Sequence, residues 1–191
     1  GVDTVFTLKD YSIAFLIHAK RLIDAAEQAG VRHYIDVSSM APRHLPYAPM
    51  GWNRLVDAYL AASGMGFTIL HPNLFMDNIL RFIDRDNGVI RHLIGDFPAG
   101  WIAAKDIARV AAAAIRDPGR FRGQTIALAT DRRSFPQIVA LVKEITGRDY
   151  RFEKLEPEAA LAAMLEKGAD REQAAPLVAY FHKISKGEVP Y

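Results

Sequence analysis

The sequence predicts an α/β protein: a parallel sheet flanked by helices, followed by a small α-rich C-terminal lobe. Three observations carry this. Short apolar runs alternate with longer segments whose apolar residues recur at helical spacing, the signature of strands joined by crossover helices. Glycine or proline closes nearly every segment. Of 191 residues, 50% are hydrophobic and 24% charged, which suits one packed core and excludes a disordered chain.

Each element has its own justification. Val2, Val5, Phe6 and Leu8 read as a buried strand at the very start of the chain. A domain rarely opens inside its own core, so the expectation is that further sequence precedes Gly1; the alternative is an edge strand exposed by processing. Ser12 to Gln28 carries Ile13, Leu16, Ile17, Leu22, Ile23 and Ala26 on one helical face, and Gly30 stops it. Val31 to Val37 is a strand ending in Ser38-Ser39. Pro42, Pro46 and Pro49 make Met40 to Met50 a loop.

Gly51 to Ser63 is the second helix, closed by Gly64, and Phe67 to Leu70 the third strand, which His71-Pro72 should break. Leu74 to Ile83 reads as helix, and Asp84 to Ala99 as a mixed stretch able to hold a hairpin. Ala103 to Ile115 is a helix with Asp106 suited to the positive end of its dipole. A turn at Asp117-Pro118-Gly119 leads to a strand over Gly123 to Ala129. Ser134-Phe135-Pro136-Gln137 has capping-box spacing before a helix ending at Gly147. Tyr150 to Leu155 is a short strand, and residues 157–167 and 172–185 are two further helices.

Composition removes several function classes. There is no cysteine, so disulfides, thiol nucleophiles, iron–sulfur clusters and thiolate zinc sites are all excluded. The six histidines are scattered, and no metal site is expected. A formal charge of +2 is near balance, and the arginines around residues 116–133 read as ordinary surface, so no nucleic-acid partner is expected. No apolar run is long enough to span a bilayer, and the expected location is cytoplasmic. Neither a Gly-x-Ser-x-Gly elbow nor a Walker A or Gly-x-Gly-x-x-Gly loop occurs. Trp52 and Trp101 read first as core.

In open parallel sheets, ligands bind beyond the carboxyl ends of the strands. That singles out Thr7 and Leu8, then Ser38, Ser39 and Met40, then His71, Pro72, Asn73, Leu74 and Phe75. For the serines and Asn73, strand termination and ligand contact stay equally open.

The runs LIDAAEQAGVRHYIDVSS, VDAYLAASGMGFTILHPNLFMDN and AAKDIARVAAAAIRDPGRFRGQTIALAT resemble the NmrA-like family of atypical short-chain dehydrogenase/reductases. GVDTVFTL looks like that family's fourth sheet strand, Asp106-Ile107-Ala108 matches its Asp-Ile-Ala at a helix start, and SFPQIVALVKEITGRDY resembles its C-terminal portion. The resemblance implies an incomplete NAD(P)-binding, partial Rossmann-like domain over residues 1–122 and an α-rich lobe over 123–191 that closes the substrate cleft. The family places its first strands and glycine-rich phosphate loop before the equivalent of Gly1.

By that resemblance Thr7 and Leu8 flank the adenosine or ribose side, Ser38, Ser39 and Met40 the nicotinamide ribose, and Pro72, Asn73, Leu74 and Phe75 the nicotinamide. The cofactor is NADP or NAD, with the choice left open. The Tyr-x-x-x-Lys pair of ordinary reductases is not kept, since Gly51 stands four residues after Tyr47. The family's helix lysine falls on Asn53, beside Arg54, four residues before an acidic position matched by Asp57.

The catalytic candidates are therefore Tyr47, Asn53 and His71, the last as a proton relay or as a structural strand-end residue. The expected activity is hydride transfer to a small-molecule electron acceptor of quinone or azo type. The alternative is a non-enzymatic NAD(P)-sensing regulator acting through a protein partner; a homodimer is equally open.

Overall fold

The computed structural model describes residues 1–9, 12, 14–40 and 48–189. In chain order the elements are β1 (Thr4–Leu8), α1 (Phe15–Gln28), β2 (His33–Val37), α2 (Ala48–Ala62), β3 (Gly66–Pro72), β4 (Leu74–Phe75), a 3₁₀ helix (Met76–Phe82), β5 (Ile83–Asp84) and β6 (Val89–His92). They continue with β7 (Ala99–Ile102), α3 (Ala104–Arg116), α4 (Pro118–Phe121), β8 (Gln124–Leu128), β9 (Asp131–Arg133), α5 (Phe135–Thr146), β10 (Arg151–Lys154), α6 (Pro157–Glu166) and α7 (Arg171–Ser185). Two compact units result, each from two stretches: Gly1–Asn73 with Ile102–Ala129, and Leu74–Trp101 with Thr130–Tyr191.

The first unit holds a parallel sheet in the order β1-β2-β3-β8. Phe15, Ala19, Ile23 and Ala26 repeat on one face of α1 and pack with Val56 and Leu60 of α2 against Tyr34 and Ile69 of the sheet. Every residue of β2 is buried, as expected for a central parallel strand. Gly30, at φ 71°, ends α1 and returns the chain toward β2. Trp52 stacks on Phe15 with ring centroids 6.4 Å apart.

Among the described residues β1 lies at the edge of this sheet, with Val2, Phe6 and Leu8 64%, 44% and 71% exposed. Two sequence expectations change. β3 does not break at His71-Pro72. Both pair with β8, and Pro72 is tolerated as the last strand residue, where its carbonyl still accepts from Met40 N–H at 3.2 Å. Gln124–Leu128, read as the opening of the C-terminal lobe, lies parallel to β3 and completes the first unit's sheet.

The second unit contains two three-stranded sheets, β10-β6-β5 and β4-β7-β9. The hairpin expected within 84–99 is β5 against β6. Leu74 to Ile83 is not a regular α-helix, because Leu74 and Phe75 are drawn into pairing with β7 and only a tight 3₁₀ segment follows. The capping box is present: the Gln137 side-chain oxygen accepts from Ser134 N–H at 2.9 Å.

His92 sits inside an aromatic cluster, its ring 4.5 Å from Phe82, 4.4 Å from Phe135 and 5.1 Å from Phe181. Burial lowers its pKa to about 4, and its Nδ1 accepts from Ile94 N–H at 3.1 Å, so the ring is neutral and carries its proton on Nε2. Trp101 is core as well, donating from Nε1 to the Arg133 carbonyl at 3.0 Å.

Candidate active site

At the carboxyl edge of the first unit's sheet, Leu8, Val37 and Leu70 lie in one row across three parallel strands. Beyond β2 the pairing continues, Ser38 N–H donating to the Leu70 carbonyl at 2.8 Å, so Ser38, Ser39 and Met40 run beside His71 and Pro72. Asn73 N–H donates to the Leu128 carbonyl at 3.0 Å. Thr7, Leu8, Ser38, Ser39, Met40, His71, Pro72 and Asn73 are thus gathered on one edge by strand register alone. Leu74 and Phe75 follow in sequence but belong to β4 of the second unit. Tyr47 lies outside the described residues.

Asn53 is brought to this edge by helical periodicity. It shares one face of α2 with Val56 and Leu60, and all three are buried. An amide in that apolar stripe needs a partner, and Asn53 Nδ2 donates to Ser39 Oγ at 3.0 Å. The neighbouring Ser38 Oγ is buried and has no partner among the described residues. Buried hydroxyls in folded proteins are as a rule hydrogen-bonded, which marks this position as a candidate ligand contact.

One turn further along α2, Asp57 Oδ2 accepts from His71 Nε2 at 2.8 Å. Arg54 Nη1 lies 3.1 Å from His71 Nδ1, 3.2 Å from its Nε2 and 3.5 Å from Asp57 Oδ2. The His71 side chain is only 7% exposed.

A second cluster escaped the sequence reading. Lys9 forms an ion pair with Asp36 across β1 and β2, with side chains 5% and 1% exposed, and Thr7 Oγ1 donates to the same carboxylate oxygen at 2.7 Å. The signal was an aspartate inside the otherwise apolar run of β2. Lys9 and Arg54 near this edge are each matched by a carboxylate. Among the described residues no group of His, Asp or Glu is arranged to hold a metal ion.

The NmrA-like family model matches residues 1–186. The chain belongs to the NmrA-like family. It is 31% identical over 172 residues to a (4-alkanoyl-5-oxo-2,5-dihydrofuran-3-yl)methyl phosphate reductase of Streptomyces griseus, covering 87% of this chain and 60% of that protein. It is 28% identical over 173 residues to an NAD(P)H azoreductase of Xenophilus azovorans, covering 88% and 60%. The chain thus spans about three fifths of the length of each relative. Among solved structures, an NADPH-dependent quinone oxidoreductase of Escherichia coli complexed with NADPH superposes with a TM-score of 0.84 at 22% identity, over 98% of this chain and 67% of the other. At that identity the likeness is one of fold, and the fold is the expected Rossmann-like one.

Proposed function

We propose that this protein is an NAD(P)H-dependent oxidoreductase that passes hydride to a small, electron-poor acceptor of quinone or azo type. The observation that carries the reading is the polar edge formed by Ser38, Ser39 and Asn53 at the carboxyl ends of parallel strands, with the Ser38 hydroxyl buried and without a partner among the described residues. The reductases among its relatives support the same chemistry.

The residues present fit the nicotinamide half of the cofactor. Ser38 and Ser39 have hydroxyls suited to the nicotinamide ribose; by the family resemblance, Thr7 and Leu8 would flank the adenosine or ribose side, and Pro72, Asn73, Leu74 and Phe75 would be the residues near the nicotinamide. Bound NAD(P)H would supply the hydride. No glycine-rich loop occurs in this chain, so no residue here is assigned to the pyrophosphate.

The chain's own contribution is orientation. Hydride transfer to an electron-poor acceptor depends on positioning more than on a strong protein acid. Asn53, where the family's helix lysine falls, keeps Ser39 in place without adding charge. Tyr47 is the candidate proton donor for acceptors that need one, and His71, enclosed by Arg54 and Asp57, acts from behind the edge.

The test is steady NAD(P)H consumption by the natural polypeptide against a panel of quinones and azo dyes. Turnover supports the reading. Binding without turnover on any acceptor favours a cofactor-sensing regulator instead, and absence of binding removes both.

A further inference from the structure

We propose that Arg54, Asp57 and His71 form a positioning cluster that sets the rotation of α2 and so holds the Asn53 amide on Ser39. The proposal deepens the oxidoreductase reading and rests on it only for the effect on cofactor affinity. Asn53 and Asp57 stand four residues apart, hence on one face of the helix. Each is tied to a different strand segment: Asn53 to Ser39 beyond β2 at 3.0 Å, Asp57 to His71 on β3 at 2.8 Å. The apolar contacts of Val56 and Leu60 can absorb a small rotation by changing rotamers. Two directional hydrogen bonds to adjacent strands cannot, because any rotation lengthens one of them.

Arg54 Nη1 stands 3.1 Å from His71 Nδ1 and 3.2 Å from Nε2, so the guanidinium sits against the imidazole ring as a whole. His71 Nε2 donates to Asp57 Oδ2 at 2.8 Å, and the guanidinium and that carboxylate are themselves 3.5 Å apart. Asp57 is 12% exposed and His71 7%, so water does not readily replace either partner. Arg54 consequently faces His71 and Asp57 and does not stand in for the lysine that Asn53 replaces. It closes the clamp on which Asn53 depends.

The experiment uses nitrogen-15 NMR on the natural polypeptide without ligand, followed by NADPH titration. In the unsubstituted protein, His71 Nε2 is expected to carry the proton it donates to Asp57. Asp57→Asn is expected to displace the Asn53 side-chain amide signals and weaken NADPH binding about tenfold, equivalent to about 1.4 kcal/mol. Asp57→Glu should restore most of both.

Unchanged Asn53 signals in Asp57→Asn would overturn the proposal, as would equal losses in the Asn and Glu variants. If Asp57→Asn does not fold, His71→Gln, which keeps a donor, is compared with His71→Leu, which does not; equal behaviour of these two also overturns it. If the unsubstituted protein does not bind NADPH, the oxidoreductase reading falls, while the ligand-free signals still decide the positioning claim.

Discussion

Asn53 Nδ2 donates to Ser39 Oγ at 3.0 Å, joining a buried position on α2 to the chain just beyond β2. Replacing Asn53 by leucine keeps the helix but strands the Ser39 hydroxyl. The expected cost is about 1–3 kcal/mol of stability, the usual penalty for a buried polar group that loses its partner. NADPH affinity should fall with it. Urea unfolding and an NADPH titration on the same preparation check the two effects separately.

His92 makes the second unit acid-sensitive. In the folded chain burial lowers its pKa from 6.5 to about 4. The unfolded chain therefore takes up a proton at a pH where the folded chain cannot, and stability falls as pH drops below 6.5 toward 4. The full penalty is about 3 kcal/mol at the acid end. Unfolding midpoints at about pH 7 and about pH 5 should differ in the natural protein, and the difference should shrink in His92→Phe.

Gly66 admits no side chain. A Cβ there would lie 2.5 Å from Arg122 Nε and 2.8 Å from the Arg32 carbonyl oxygen. The arginine can move aside, but the backbone oxygen is held by the start of β2. Gly66→Ala is expected to destabilise by about 1–3 kcal/mol, as overpacking typically does. Chemical denaturation is the direct check.

The α5 capping box gives a smaller prediction. Ser134→Ala removes the side-chain half of the reciprocal pair and should cost about 1 kcal/mol. A thermal melt compared with Gln137→Ala would show whether the two halves act together.

What could be read in the sequence follows from range. The alternation that gives β1, β2, β3 and α1 is local, and so is the polar punctuation at Ser38-Ser39 and Asn73 that marks the candidate edge. Asn53 was legible only through the family resemblance, as the place where the family's helix lysine falls. The Lys9–Asp36 pair was not: its partners are 27 residues apart and meet only through strand register. The strands Ala99–Ile102 and Asp131–Arg133 are short segments stabilised by pairing with each other, which no local pattern announces.

The most direct measurement is an NADPH titration of the natural polypeptide followed residue by residue by amide NMR. The account predicts shifts at Ser38, Ser39, Asn53 and Asn73, with Arg32, His33 and Gly66 at the opposite ends of the same strands unmoved. No shift at the carboxyl edge, or shifts confined to the opposite end, would contradict it.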